Sequence, residues 1–204
     1  MDQTLIITSP PPASVLGVYG SPRKGGNTGI LLEEFLRGAS QSGSTIERMY
    51  LSQIPIKGCQ SCKGCAVSGQ CVIEDGMQEV YKALDNSDRI VIASPIYFYN
   101  VTSQTKAMID RSQAFWSRRY LIHESRSTSP GGRARKGFFI SVAATKGKRL
   151  FEGAEMTMRY FFDAIDVEYS GSLLFSGVDE RGAIKDHPSA LKEAFEAGVR
   201  FVSG

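Results

Sequence analysis

The stretch VLGVYGSPRKGGNTG, residues 15–29, decides the fold. It begins with a short apolar run that favours a strand, and it continues as a glycine-rich loop that precedes a segment of helical period. Four more apolar runs follow along the chain, and segments with helical spacing separate them. Alternation of this kind is typical of a parallel sheet with helices on its faces.

The predicted strands cover residues 15–20, 45–51, 89–94, 137–143 and 167–174. The first predicted helix begins near residue 28, and the next three cover residues 77–86, 102–113 and 149–164. A fifth helix has Pro188 near its start. Right-handed crossovers most simply arrange these units as an open doubly wound α/β sheet, with its ligand at the carboxyl ends of the strands. We therefore predict one domain over residues 15–204, preceded by a flexible lead-in over residues 1–14 that has no core to join.

The composition is that of an ordinary globular protein: of 204 residues, 42% are hydrophobic and 22% are charged. The net charge of +3 is too small to predict a nucleic-acid partner. No segment approaches the roughly 20 consecutive apolar residues of a membrane-spanning helix, and the first residues do not read as a secretory signal. We therefore expect a cytoplasmic protein without a membrane partner, in which thiols stay reduced.

The loop GSPRKGGNTG, residues 20–29, matches neither of two well-known phosphate loops. The Walker pattern requires lysine where Gly26 stands, and GxGxxG cannot be placed on these glycines. Glycines nevertheless let backbone N–H groups approach an anion, and a helix N-terminus carries partial positive charge. Short donors and full charges are added by Ser21, Arg23, Lys24, Asn27 and Thr28. The alternative is a plain turn in which Asn27 or Thr28 caps the helix.

Two further loops follow predicted strands. In SPIYFYNVTSQTKAMIDR, residues 94–111, three consecutive aromatic residues come directly after a strand. They could form the wall of a site for a flat heteroaromatic ring, or they could only plug the edge of the sheet. The loop AATKGK, residues 143–148, is by itself only a turn. Three loops at one edge of one sheet together favour a ligand site.

All four cysteines lie in CQSCKGCAVSGQC, residues 59–71, within a loop over residues 56–75. Cys59, Cys62 and Cys65 are separated by two residues each, and CxxCxxC is the run that ferredoxins use for a four-iron cubane. Cys71 must close the same site or stay unused, because the chain has no remote cysteine. Structural zinc prefers two CxxC pairs with a longer arm between them. An iron-sulfur cluster is therefore favoured over zinc, a disulfide-exchanging dithiol and inert thiols.

In this order, GSPRKGGNT, CQSCKGCAVSGQC, SPIYF and KAMIDR resemble the NAD(P)H-dependent FMN reductase family of flavodoxin-like proteins, and more narrowly its iron-sulfur flavoprotein branch. The resemblance implies a three-layer sandwich whose five parallel strands lie in the order 2-1-3-4-5. It also implies FMN, a [4Fe-4S] cluster, a donor that is either ferredoxin or NAD(P)H, and a homo-oligomer, either dimer or tetramer.

The resemblance also assigns the site residues. It places the FMN phosphate on Ser21, Arg23, Asn27 and Thr28. It places the isoalloxazine ring against Pro95, Ile96, Tyr97, Phe98 and Asn100, and a third loop at Thr145, Lys146 and Gly147. It makes the cluster ligands Cys59, Cys62, Cys65 and Cys71.

We therefore predict an FMN-dependent oxidoreductase that carries a [4Fe-4S] cluster and passes electrons to a small acceptor. The flavin supplies the chemistry, and no side chain is assigned a catalytic role. One alternative is a cluster-free NAD(P)H-dependent flavin or quinone reductase. A second alternative, from another class, is a non-enzymatic module in which the thiols sense oxidant or metal.

Two features beside these motifs are open to more than one interpretation. Residues 118–136 hold six basic side chains and one acidic one. A solvated loop is the simpler interpretation, and a basic rim that steers an acidic ferredoxin or holds NADPH phosphates is the alternative. Trp116 beside this segment fits an oligomer contact. Asp110 and Arg111 are expected to form a structural ion pair or a subunit contact.

Overall fold

The structure is a computed structural model that describes residues 12–130 and 132–203. Its sheet has five parallel strands in the order β2-β1-β3-β4-β5, which confirms the predicted flavodoxin-like order. In chain order the strands are β1 (Ser14–Tyr19), β2 (Thr45–Tyr50), β3 (Arg89–Ala93), β4 (Lys136–Ala143) and β5 (Glu168–Ser176).

The helices of the described residues connect and cover these strands. They are α1 (Asn27–Ser40), α2 (Cys65–Ser68), α3 (Met77–Asn86), α4 (Ser103–Arg111), α5 (Gln113–Tyr120), α6 (Glu152–Ala164) and α7 (Ala190–Ser203). Two short 3-10 turns, Leu51–Gln53 and Ala183–Asp186, follow β2 and β5. Within residues 12–130 and 132–203, none of the helices has both the length and the apolar character needed to cross a bilayer.

Each face of the sheet buries its own apolar cluster. Along β1, Leu16 and Val18 belong to one cluster, whereas Val15 and Tyr19 belong to the other, as the alternation of side chains along a strand requires. Residues of α3, α4, α5 and α6 complete the first cluster, and residues of α1 and α7 complete the second. The result is the predicted three-layer sandwich.

Helices α1 and α7 pack backbone against backbone where Gly38 lies beside Gly198. A Cβ on Gly198 would overlap the carbonyl oxygen of Phe35, and a Cβ on Gly38 would overlap that of Phe195. Only hydrogen at these two positions allows this approach. The close packing fixes α1 against the sheet and thereby fixes its N-terminus at the carboxyl edge.

One helix was predicted over residues 102–113. The structure instead has two helices, α4 and α5, which meet at Ser112. The Ser112 hydroxyl donates to the carbonyl oxygen of Met108 at 3.0 Å, a back-bond that competes with regular helix geometry. Helix α5 then continues to Tyr120. The prediction that a loop begins at residue 118 is therefore wrong.

The start of the chain differs slightly from the prediction. Strand β1 begins at Ser14, and the buried Ala13 accepts a hydrogen bond from the backbone N–H of Thr45 at 3.0 Å. The expectation that residues 1–14 have no core to join is therefore wrong for these two residues. Residues 1–11 lie outside the described part of the chain.

Candidate functional site

Loops after β1, β3, β4 and β5 line one cleft at the carboxyl edge of the sheet. The lining residues are Ser21, Arg23, Gly26, Asn27, Thr28, Pro95, Ile96, Tyr97, Val142, Ala144, Val178, Asp179 and Arg181. Doubly wound sheets bind their ligands at this position. Seven of the predicted cofactor-binding residues thus lie together, namely Ser21, Arg23, Asn27, Thr28, Pro95, Ile96 and Tyr97.

A buried hydrogen-bond network joins the first two loops of the cleft. The backbone N–H of Gly20 donates to the carbonyl oxygen of Ala93 at 2.8 Å, which extends the pairing of β1 with β3. The Thr102 hydroxyl donates to the carbonyl oxygen of Gly20 at 2.5 Å. The same hydroxyl oxygen caps α4 by accepting from the backbone N–H of Thr105. The two loops are therefore held at a fixed separation.

The N-terminus of α1 opens into the cleft. Its N-cap is Gly26 in an extended conformation, and no side chain among the described residues caps it. The first turn contains no acidic residue. Backbone N–H groups in such a turn can bind an anion, and the helix dipole favours negative charge there. The alternative interpretation, in which Asn27 or Thr28 caps the helix, is wrong.

The side chain of Asn27 holds another loop in place. Its Nδ2 donates to the carbonyl oxygen of Glu180 at 3.0 Å, and its Oδ1 accepts from the backbone N–H groups of Gly182 at 2.9 Å and Ile184 at 3.3 Å. These bonds place Arg181 at the cleft. Its guanidinium lies against the glycine-rich loop, because a Cβ added to Gly25 would be only 3.3 Å from the Arg181 Nη2.

Arg181 is a cleft residue that the sequence analysis missed. It lies more than 150 residues from Asn27 in the sequence, and no motif surrounds it. The only signal is tertiary, because the Asn27 side chain binds the turn that carries Arg181. Arg23 and Arg181 together bring two positive charges to the uncapped end of α1.

The aromatic loop forms a tight turn with an unusual backbone. The backbone N–H groups of Tyr97 and Asn100 donate to each other's carbonyl oxygens at 2.8 and 3.0 Å. Between them Phe98 and Tyr99 both have positive φ, at 49° and 62°, which is uncommon for bulky side chains. Such strain is often retained at functional sites. Phe98 is fully exposed and is not among the residues that line the cleft.

Four more predicted residues also lie off the cleft lining. The side chain of Asn100 accepts from the backbone N–H of Val101 at 2.8 Å, so it stabilises its own turn. Thr145, Lys146 and Gly147 are exposed, and the neighbouring Ala144 contacts the cleft in their place. The third loop thus contributes through Ala144, the first residue after β4.

All four cysteines line a second cavity, of about 650 Å³. They are free thiols, of which Cys59 and Cys62 are exposed and Cys65 and Cys71 are partly buried. The hydroxyl of Ser117 donates to the sulfur of Cys65 at 3.6 Å. The cysteine loop follows β2, so this cavity also belongs to the carboxyl side of the sheet.

The four cysteine side chains share one cavity without converging on one point. Across residues 12–130 and 132–203, no three side chains of His, Cys, Asp or Glu converge closely enough to hold one metal ion. A cubane is larger, and each of its irons takes one thiolate, so its ligands stand apart around a cavity. Four thiols around one cavity fit that requirement.

Arg111 joins the two ends of the cysteine loop. Its buried guanidinium donates to the carbonyl oxygen of Lys57, before the cysteines, and to that of Ile73, after them, both at 2.9 Å. It also forms a two-point ion pair with Asp75, with N–O distances of 2.8 and 3.1 Å. The hydroxyl of Tyr81 donates to the carbonyl oxygen of Arg111 at 2.7 Å. The loop is therefore closed at its base.

The ion pair keeps both partners charged. Burial alone would raise the pKa of Asp75, but hydrogen bonds from Arg111 and from the backbone N–H groups of Lys57 and Met77 outweigh it, and the pKa is lowered. Asp110 instead pairs with Lys106 at 2.6 Å. The expected ion pair of Asp110 with Arg111 is therefore wrong, because Arg111 turns inward to Asp75.

The predicted basic segment, residues 118–136, is largely paired within the protein. Arg118 forms a two-point ion pair with Asp85, at 2.6 and 3.0 Å. Arg119 pairs with two aspartates at the end of α6, and the buried Arg135 donates to backbone carbonyl oxygens. Both the solvated loop and the basic rim are therefore wrong for these three arginines.

Comparison with known proteins places this geometry in a family. The family model for NADPH-dependent FMN reductase matches residues 13–175. Relatives include an iron-sulfur flavoprotein of Archaeoglobus fulgidus, 40% identical over 47% of this chain and 44% of the relative. Another, from Methanocaldococcus jannaschii, is 36% identical over 48% of this chain and 51% of the relative. The chain spans about half the length of these curated relatives.

A solved structure shares the fold at low sequence identity. It is an FMN-dependent NADH-azoreductase from Bacillus anthracis in complex with FMN. Its TM-score is 0.65 and its identity is 15%, over 93% of this chain and 99% of that chain. The match confirms the flavodoxin-like fold. The family model, together with the curated relatives, confirms the family resemblance that the sequence motifs indicated. This chain belongs to the NADPH-dependent FMN reductase family.

Proposed function

We propose that the chain is an FMN-dependent oxidoreductase whose cofactor binds in the cleft at the carboxyl edge of the sheet. The observation that carries the proposal is the uncapped N-terminus of α1, which opens into a cleft that Arg23 and Arg181 also line. A dianionic phosphate matches this combination of helix dipole, backbone donors and two guanidinium groups. The apolar surface of Pro95, Ile96 and Tyr97 suits a flat ring.

In this proposal the protein binds and orients the flavin. Bound FMN supplies electron transfer in one-electron or two-electron steps. Arg23, Arg181 and the first turn of α1 hold the phosphate, and Ser21 and Thr28 add short donors. The strained turn at Phe98 and Tyr99 directly follows Tyr97, which lines the cleft, so in this proposal its rigidity holds Tyr97 in position. Reduced nicotinamide or ferredoxin is the proposed donor, and a small molecule is the proposed acceptor.

Arg181→Gln protein should bind FMN roughly 10-fold more weakly. A charge-assisted hydrogen bond contributes about 1.5–3 kcal/mol. Because Arg181 is exposed, its contribution lies at the lower end of this range, which corresponds to about a 10-fold change in Kd. Quenching of FMN fluorescence during titration measures the Kd. Lys185→Gln, a neighbouring charge change outside the cleft lining, is the matched control. Equal FMN affinity in the Arg181→Gln and wild-type proteins would remove Arg181 from the phosphate site.

Riboflavin tests the whole cleft assignment. It has the same ring as FMN but lacks the phosphate, so it should bind much more weakly to the wild-type protein, and Arg181→Gln should leave its affinity unchanged. If wild-type protein binds FMN and riboflavin equally well, the anion site at α1 is not used. NADPH and NADH oxidation by the loaded protein then identifies the donor.

We also propose that Cys59, Cys62, Cys65 and Cys71 hold a [4Fe-4S] cluster, which can transfer electrons to and from the flavin. Support comes from their spacing, from the shared cavity and from similarity to curated iron-sulfur flavoproteins. The cluster-free reductase and the thiol sensor are the alternatives. One zinc and no iron after oxygen-free purification would favour the cluster-free reductase. Protein without flavin would favour the thiol sensor. Exposed thiols of this kind suit the reducing cytoplasm.

A homo-oligomer is the proposed assembly. Trp116 and Leu121 are exposed apolar side chains that line the cysteine cavity, and the exposed ring of Tyr120 packs against Trp116. Large exposed apolar side chains that lie together often mark a protein contact. Leu121→Glu should lower the assembly state observed by sedimentation equilibrium, whereas Val67→Glu, an exposed apolar residue on α2, is the comparison. An unchanged assembly state in Leu121→Glu protein would place the contact elsewhere.

A further inference from the structure

Arg111 has one donor that the protein leaves unsatisfied. Its terminal nitrogens Nη1 and Nη2 bond to Lys57, Ile73 and Asp75, but its buried Nε finds no hydrogen-bond partner among the described residues. The side chain has 0% exposure. A buried unsatisfied donor costs about 1–3 kcal/mol, and more when it is charged, so a native protein rarely keeps one without a reason.

The surroundings of Arg111 indicate what the missing partner is. Arg111 lines the cavity that contains the four cysteines. Cys71 lines this cavity together with Arg111. Sulfur atoms of a metal cluster carry negative charge and accept N–H hydrogen bonds, which hold the cluster and tune its potential.

We propose that Arg111 is a positioning residue for the cluster, one that closes the cysteine loop through Lys57 and Ile73 and offers its Nε–H to a sulfur on the Cys71 side of the cavity. This inference rests on the proposed cluster. The positive charge stabilises the more negative, reduced form, so Arg111 raises the midpoint potential of the cluster. Asp75 acts in the opposite direction, because its negative charge lies beside the same guanidinium.

The opposed charges allow a test that separates tuning from simple support of the loop. In Arg111→Gln/Asp75→Asn protein neither buried charge is left alone, which protects the fold. Asp75→Asn protein keeps the cation and loses the anion. Lys82→Gln, which removes an exposed charge from α3, is the control. Each protein is purified without oxygen, its iron is counted, and its cluster potential is titrated with detection by electron paramagnetic resonance.

We expect the midpoint potential to rise in Asp75→Asn, to lie lower in the double variant than in Asp75→Asn, and to be unchanged in Lys82→Gln. We also expect a chelator to remove iron from the double variant at least about 10-fold faster than from wild type. FMN content should stay equal in all four proteins, which reports that the fold is intact.

The contradicting outcomes are distinct. Wild-type protein that holds flavin but no iron overturns the proposed cluster, and the role of Arg111 with it. If the wild-type protein has a full cluster, but the cluster potentials of the Asp75→Asn protein and the double variant are equal, only the role of Arg111 in tuning is overturned. Equal rates of iron loss in wild type and the double variant overturn its role in holding the loop.

Discussion

Cys62→Ser protein purified without oxygen should contain almost no cluster iron and should keep its full content of FMN. Each iron of a cubane takes one cysteine thiolate, and a serine hydroxyl remains protonated near neutral pH and binds iron poorly. Cys62 is exposed and precedes α2, so its replacement leaves the apolar core untouched. Iron analysis, flavin absorbance and the cluster's electron paramagnetic resonance signal measure the result.

The control for this variant lies two residues away. Gln60 lines the same cavity but cannot supply a thiolate, so Gln60→Ala should keep both iron and FMN. Full iron content in Cys62→Ser protein would show that Cys62 is not a ligand and that the four-cysteine assignment is incorrect. Loss of FMN together with iron would show that the cysteine cavity and the cleft are not independent sites.

Gly198→Val should produce the largest loss of stability, about 3 kcal/mol or more. A Cβ at this position overlaps the carbonyl oxygen of Phe35 and lies close to the backbone nitrogen of Ala39, and helix backbones cannot move aside as flexible side chains do. The α1–α7 contact must therefore open. Because α1 carries the proposed phosphate site at its N-terminus, FMN affinity should fall as well.

Urea unfolding of the flavin-free protein measures the stability change. Lys192→Ala, at an exposed position on the same helix, should change stability by less than about 0.5 kcal/mol. Gly198→Val protein with wild-type stability would mean that α1 and α7 do not pack backbone to backbone. Excess FMN should partly restore the variant, because a ligand that binds only the folded state stabilises it.

The sheet could be predicted from the sequence because its three central strands, β1, β3 and β4, are largely buried on both faces. Continuous apolar runs such as residues 90–93 are typical of such strands, and the helical segments between the strands fix the parallel crossovers. The cysteine cavity was also predictable, because its four thiols lie in one loop. The cleft was partly predictable, since local motifs mark the ends of strands β1 and β3.

What the sequence could not predict depends on distant partners. Arg111 seemed to belong with its neighbour Asp110, but its true partner, Asp75, lies in the loop before α3. Arg118 and Arg119 seemed solvated, although acidic residues of α3 and the end of α6 bind them. Arg181 has no motif, and only the hydrogen bonds of Asn27 place it at the cleft. Long-range pairing of this kind leaves no periodic pattern in one sequence.

Metal and flavin content of one oxygen-free preparation of the wild-type protein tests the account most directly. We predict about one FMN and roughly four irons per chain, with flavin absorbance over a broad iron-sulfur background. Protein that is fully folded and reduced, yet contains neither FMN nor iron and takes up neither when they are supplied, would contradict it.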